Sequence, residues 1–340
     1  MTDDSENIKV GFIGCGRHSG LRLYPGMEEA GLDLIAVCDA DPIKAQQRAT
    51  RYAVPNVYSD WQAMCDNQSL DAVLAVTGPA GHYELGAQLL ERGYHLFTEK
   101  PCSVTSDQAD HLVQCAEASG KHMQIGFNYR YTMGIQRAVS MIENQQFADP
   151  AVISVRWWLG EPDTQRFMQH YVCHGLDLLH YVTPGGLTHL DPQKDLHIEY
   201  VHRDNFDWYV VTMRSLSGAI AVLELGPQMS GEGHYCRIDF TSADGLLSVH
   251  DFTQVSHYET APWGDLRTPD SKVYDGDRIW RTEPLLTRGS IWQTFGYAEE
   301  LRRFRQVVQG TRKPEATVAE AAWGMHVMEH LVDEAKRKAI

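Results

Sequence analysis

The stretch Ile8-Lys9-Val10-Gly11-Phe12-Ile13-Gly14-Cys15-Gly16-Arg17-His18-Ser19-Gly20 decides the fold. A short apolar run breaks into a Gly-x-Gly turn and then into a segment able to start a helix. Strand, tight turn and helix in that order are the context in which such glycines bind phosphate. Gly14 permits the turn, and Gly16 lets the backbone approach a pyrophosphate. The phosphates would sit over the start of the next helix, opened by Arg17 and His18, where unpaired N–H groups favour an anion. The third glycine position of the fingerprint holds Ser19, which is small enough for close helix–strand packing. The second half of the unit follows: Leu32 to Cys38 reads as a strand, and Asp39 ends it. An acid there can accept both hydroxyls of an adenosine ribose and repel the extra phosphate of NADP. Its alternative role is to cap the helix expected over Pro42 to Tyr52. Glycine turn and acid together predict dinucleotide binding. NAD is expected over NADP, because Ala40 follows Asp39 and Lys44 is the only cation nearby.

Outward from this unit, Asp71 to Val76, Tyr94 to Thr98 and Met123 to Phe127 read as further buried strands. Helical segments separate them, one of them expected to be capped by Ser106. Strands alternating with helices mean a doubly wound parallel sheet. After that the grammar changes. Val152 to Trp158, Leu196 to Val201, Trp208 to Met213, Ala219 to Leu225, Tyr235 to Phe240 and Leu246 to Val249 alternate apolar and polar residues, as in an antiparallel sheet with one covered and one free face. The expected fold is therefore α/β. It has an N-terminal Rossmann dinucleotide-binding domain (1–127) and a C-terminal α+β domain (128–340) with an open, mainly antiparallel sheet. The free face is expected to be buried in a homodimer or homotetramer. Residues 259–291 follow no period and hold Trp263, Arg267, Arg278, Trp280, Arg281 and Arg288; a long irregular excursion of this kind is usually functional or mobile. Two closing helices, roughly 294–309 and 317–338, are free to pack back on the first domain.

The chain has 340 residues, enough for two domains, and its 43% hydrophobic content supplies a buried core. A net charge of −15 argues against nucleic acid and anionic membrane as partners. No apolar run approaches the roughly 18 residues of a membrane span. The acidic start lacks the features of a signal peptide. The seven cysteines are scattered without a C-x-x-C pair, which fits reduced thiols, no disulfide framework and a cytoplasmic protein.

In open α/β sheets ligands gather at the carboxyl ends of the strands, where Thr77, Pro79, His82 and Glu99-Lys100-Pro101 fall. Lys100, held extended by the following proline, can hydrogen-bond a substrate hydroxyl and favour the alkoxide that forms as hydride leaves. The second constellation runs from His170 to His180. At about 100° per residue, His170, His174 and Asp177 fall within roughly 60° of one another on a helix. A neutral imidazole is the usual acceptor for an alcohol proton. Asp177 could orient it or accept a sugar hydroxyl. The same groups could instead ligate a metal, although no metal-site motif accompanies them and none is expected, or they could be structural histidines.

The chain resembles the glucose–fructose oxidoreductase/inositol dehydrogenase/rhizopine catabolism (Gfo/Idh/MocA) family over nearly its whole length. The resemblance rests on Val10-Gly11-Phe12-Ile13-Gly14-Cys15-Gly16, Asp39, the Pro79…His82 turn, Gly93 to Pro101 and Gly126-Phe127-Asn128-Tyr129-Arg130. It implies that Lys100 and His174 serve catalysis, that Asp177 belongs to the same helix motif, and that His170 stands where the family usually has an aspartate. The resulting expectation is an NAD-dependent dehydrogenase acting on a secondary hydroxyl of a sugar, sugar derivative or cyclitol. The alternatives are an NAD-dependent glycoside hydrolase working by transient C3 oxidation, and a non-catalytic NAD- or sugar-sensing regulator. The resemblance places substrate contacts in the second domain, where Arg130, Arg156, Trp158, Arg166, His170 and Tyr171 are candidates alongside Asp177. Aromatic faces suit sugar C–H surfaces, and arginine forks suit an anionic sugar.

Overall fold

The computed structural model describes residues 7–160, 163–227, 235–243, 245–259, 280–284 and 291–338. These form two compact units. One comprises the described residues up to Tyr131 and those from 291 to Glu329; the other comprises the remainder. In the first unit, β1 (Ile8–Ile13) leads through the glycine turn into a short α1 (Arg17–Arg22). Then β2 (Leu32–Cys38) is followed by α2 (Pro42–Tyr52), β3 (Asn56–Tyr58) by α3 (Trp61–Asn67), β4 (Ala72–Ala75) by α4 (Pro79–Glu91), and β5 (His95–Glu99) by α5 (Ser106–Ser119). β6 (Met123–Gly126) closes the series. The strands are parallel in the order β3-β2-β1-β4-β5-β6. The chain therefore winds first to one side of β1 and then to the other. The carboxyl ends of β1 and β4 flank the switch point at which such sheets bind ligands. Val10, Phe12 and the whole of β4 are buried, as helices on both faces require.

Local chemistry explains the element boundaries. Gly14 has φ +102°, and a Cβ there would lie 2.0 Å from the Val76 carbonyl oxygen, so only glycine fits the turn. Asp41, not Asp39, caps α2 by accepting the Ile43 N–H at 3.0 Å. Thr105, not Ser106, caps α5: its hydroxyl accepts the Gln108 N–H at 3.3 Å. Ser106, already inside the helix, donates its N–H and hydroxyl to the Glu329 carboxylate at 2.7 and 2.5 Å.

The second unit opens with α6 (Met133–Glu143) and β7 (Val152–Gly160). A continuous helical run follows: α7 (Thr164–Phe167), a π turn (Met168–Val172) and α8 (Cys173–Val182). The remaining described strands are β8 (His197–Arg203), β9 (Phe206–Arg214), β10 (Ile220–Pro227), β11 (Tyr235–Ser242), β12 (Gly245–His250), β13 (Gln254–Glu259) and β14 (Trp280–Pro284). They pair in the order β14-β13-β12-β11-β7-β10-β9-β8, antiparallel except between β7 and β10. Ile153, Val155 and Trp157 of β7 are buried on one face. That face packs on α8, where Gly175 brings the helix against Leu223, Leu225 and Trp157. The other face carries the exposed apolar side chains Val201, Trp208, Val210 and Ile220. Trp280 and Arg281, expected in an irregular excursion, belong to β14. Trp263, Arg267, Arg278 and Arg288 lie outside the described residues.

The chain then returns to the first unit through α9 (Ile291–Thr294), α10 (Tyr297–Val308) and the part of α11 (Val318–Lys338) up to Glu329. Leu301 and Phe304 of α10 are fully buried among Val10, Phe12 and Phe97, and the Phe97 and Phe304 rings lie 5.8 Å apart. Asn128 donates to the Phe295 carbonyl at 2.8 Å, and buried Arg130 pairs with Glu320 at 3.0 Å. These bonds place residues 128–131 with the first sheet, so its unit ends later than the 127/128 boundary expected from the strand grammar. All seven cysteines are buried thiols. Among the described residues, no helix is long and apolar enough to cross a membrane.

Candidate active site

At the glycine turn, Asp39 reaches back from the end of β2. One carboxylate oxygen accepts the Cys15 N–H at 2.7 Å and the other accepts the Asp41 N–H at 2.9 Å. Each oxygen keeps lone-pair capacity for a ribose hydroxyl. A Cβ built on Gly16 or on Gly78 would meet no protein atom within 4 Å, so the turn has open space beside it where a phosphate could approach the backbone. Ser19, in the third glycine position, does more than stay small: its buried hydroxyl donates to the carbonyls of Gly14 (2.9 Å) and Gly16 (3.2 Å). With α1 only six residues long, the preference for an anion comes from the amides of the turn and first helical residues rather than from a long helix dipole. These residues fit a dinucleotide. Lys44 pairs with Asp41 at 3.5 Å and is not the only cation nearby: Arg48, two turns into α2, donates to the carbonyls of Cys15 and Gly16.

The turn after β5 is tied to this cradle. The Thr77 N–H donates to His82 Nε2 at 3.2 Å, which leaves Nδ1 to donate to the Pro101 carbonyl at 2.9 Å. Burial lowers the His82 pKa, so the imidazole holds both loops in its neutral form. Glu99 is buried and bonded to His18 Nε2 at 3.0 Å. Burial opposes its charge, but the His18 and Lys100 charges outweigh that and hold its carboxyl below the usual range. Gly126 makes room for it, since a Cβ there would lie 3.0 Å from the carboxylate. The Lys100 turn is thus fastened to α1 through Glu99–His18 and to the β4–α4 loop through His82.

In the second unit, Asp163 caps α7 by accepting the Arg166 N–H at 2.7 Å. Thr164 then donates its hydroxyl to Asp207 at 2.7 Å, and Asp207 also binds Tyr200 and His202, each at 2.9 Å. Burial works against the Asp207 carboxylate, and these donors hold its pKa below the usual range regardless. That anchor fixes the start of the run carrying the histidines. A uniform 100° per residue fails across Met168–Val172, because π bonding inserts an extra residue in the turn. His170 is exposed, with Tyr171 edge-on to it at 6.4 Å, while His174 and Asp177 on α8 are buried. The His174 ring lies 6.1 Å from that of Trp157.

Other nominated residues stand elsewhere. Strand alternation puts Arg156 and Trp158 on the face opposite Trp157 and α8. Arg156 is bonded there to Glu224 (3.2 Å) and Asp239 (3.3 Å), and Trp158 flanks Gly226 with Trp208. Arg130 belongs to the first unit and is buried against Glu320 and the Phe127 ring. His170, Tyr171, Arg166 and Asp177 share the α7–π–α8 run; the other three do not. Trp157, Arg48 and Asp207 were not singled out from sequence. The buried alternation of Ile153, Val155 and Trp157 was a readable signal for the first, whereas nothing local marks the other two. Among the described residues, no three His, Cys, Asp or Glu side chains are placed to hold a metal ion.

Comparison with known proteins bears on the same regions. Residues 8–127 match a family described as an oxidoreductase family with an NAD-binding Rossmann fold. Inositol 2-dehydrogenase of Salmonella typhimurium strain LT2 is 24% identical over 52% of this chain and 54% of its own, so the match spans about half of that relative. D-glucoside 3-dehydrogenase of Escherichia coli K12 is 31% identical over 45% of this chain and 44% of its own. The crystal structure of a dehydrogenase from Chromobacterium violaceum has the same fold, with a TM-score of 0.85 at 21% identity, covering 98% of this chain and 97% of that one.

Proposed function

We propose that this chain, which belongs through residues 8–127 to the Gfo/Idh/MocA oxidoreductase family, is an NAD-dependent dehydrogenase oxidising a secondary ring hydroxyl of a sugar, sugar derivative or cyclitol. The observation that carries the reading is the 3.0 Å His18–Glu99 bond, which fastens the turn bearing Lys100 to the helix of the glycine turn. Oxidising a secondary alcohol removes a hydride from carbon and a proton from oxygen. NAD, held by the amides of the glycine turn, Asp39 and the Thr77–His82 loop, would supply the hydride acceptor. Lys100 donates a hydrogen bond to the reacting hydroxyl and favours its alkoxide character. His174 accepts the proton, and Asp177, one turn along α8, orients the imidazole or a neighbouring hydroxyl. Relatives named for an inositol and for C3 of a glucoside both act on ring alcohols, which supports a cyclic polyol as substrate. Arg130 and Arg156 are engaged in ion pairs, which weighs against their serving an anionic substrate. The reading is tested by mixing the protein with NAD and a panel of cyclitols, sugars and glycosides. Accumulating NADH supports it; aglycone release without net NADH would instead indicate redox-assisted hydrolysis.

NAD is proposed over NADP because the Asp39 carboxylate stands at the turn and would repel a 2′-phosphate. Asp39→Ala should weaken NADH binding about tenfold and narrow its preference over NADPH, as fluorescence titration would show. A preference unchanged by the substitution contradicts this assignment. A homo-oligomer through the open sheet face is proposed as well, because Val201, Trp208, Val210 and Ile220 leave apolar surface on it. Sedimentation as a monomer at micromolar concentration would refute that.

A further inference from the structure

We propose that Arg48 is the positioning residue of the glycine turn: it aims the turn's amides at the pyrophosphate by holding their carbonyls from behind. The inference rests on the NAD-binding reading and adds to it a residue far from the fingerprint in sequence. A trans peptide is planar, so its C=O and N–H point in opposite directions. The plane joining Gly14 and Cys15 illustrates this. The Gly14 carbonyl accepts the Ser19 hydroxyl at 2.9 Å, and the Cys15 N–H faces the other way, onto Asp39 at 2.7 Å. In the next plane the Cys15 carbonyl accepts Arg48 Nη2 at 3.2 Å, which turns the Gly16 N–H away from Arg48. In the third, the Gly16 carbonyl accepts Arg48 Nη2 at 3.0 Å and Ser19 at 3.2 Å, which turns the Arg17 N–H away as well. Both amides therefore point away from the protein groups that hold their carbonyls. Gly16 itself, whose Cβ would meet nothing within 4 Å, leaves the approach clear.

The guanidinium is itself held. It lies over the Tyr24 ring, 5.0 Å from its centroid, and Tyr24 stacks on Phe12 at 4.3 Å in the core of the sheet. Gly20 admits it: a Cβ there would come within 2.2 Å of Arg48 Nη2. This accounts for Gly20 directly after the serine that replaces the third glycine. Arg48 also sets a positive charge behind the turn, which adds to the attraction for an anion.

The test compares ligands that contain the pyrophosphate with one that lacks it. For Arg48→Met, affinity for NADH and for ADP-ribose, read by titration, should fall roughly 10- to 100-fold, as expected when hydrogen bonds from a charged donor are lost. Adenosine binding, read by ligand-observed NMR, should stay within about twofold, and Arg48→Lys should recover part of the loss. Gly20→Ala, which displaces the guanidinium without removing it, should reproduce the same selective loss and serves if the first variant does not fold. Parental NADH affinity in both variants overturns the role of Arg48, as does an equal loss of adenosine binding. A parent protein that binds no NADH would instead refute the dinucleotide reading itself.

Discussion

Lys100→Met is expected to lower turnover by roughly 10²- to 10³-fold while leaving NADH affinity within about twofold, as for loss of one donor aimed at a developing oxyanion. Methionine keeps an unbranched apolar stem out to the ε position and removes the terminal ammonium. The cradle has fastenings that do not use the Lys100 side chain as a bonding partner: Glu99–His18, and His82 between Thr77 and Pro101. The loss should therefore appear in turnover rather than in cofactor binding. Steady-state rates on the best substrate, together with a fluorescence titration of NADH, separate the two. Unchanged turnover would remove Lys100 from the chemistry. A parallel collapse of NADH affinity would make it a cofactor ligand instead.

His174→Ala should cost about 10²- to 10⁴-fold in turnover, the range for loss of a general base. The residual rate should climb with pH over a range in which the parent changes little, because hydroxide then replaces the missing acceptor. The His170→Ala variant decides between the two histidines. His170 is exposed on the π turn, and His174 is buried on α8 beside Trp157. The first substitution should therefore cost about tenfold or less. A larger effect at 170 than at 174 would reverse the assignment.

Much of the fold was legible because the decisive signals are local. Gly14, Gly16 and Asp39 announce the dinucleotide unit, and the continuous apolar runs announce a sheet covered on both faces. The shift to alternating strands after 150 announces the second sheet. The closing helices were expected to be free to pack back on the first domain, and they do. What was not legible depends on long-range partners: that Leu301 and Phe304 are the residues that enter the first core is revealed only by packing with Phe12 and Phe97. His170 is exposed and His174 buried, a difference in surroundings that helical spacing read from sequence does not carry. Arg156 and Trp158 were nominated for chemistry that suits their side chains, while the period of two in β7 sends them to the face opposite Trp157. Arg48 is an ordinary helix arginine until its reach to the carbonyls of Cys15 and Gly16 is seen.

Direct transfer of hydride from a ring carbon tests the central claim most closely. The protein would be incubated with NAD and cyclitols, sugars and glycosides deuterated at every ring carbon, and the reduced nicotinamide examined by mass spectrometry. The expected result is one deuterium per NADH, formed with at least one cyclic polyol and roughly 10²- to 10³-fold more slowly in Lys100→Met. NAD that binds tightly yet acquires no deuterium from any member of the panel would contradict the account and favour a protein that senses the dinucleotide without using it.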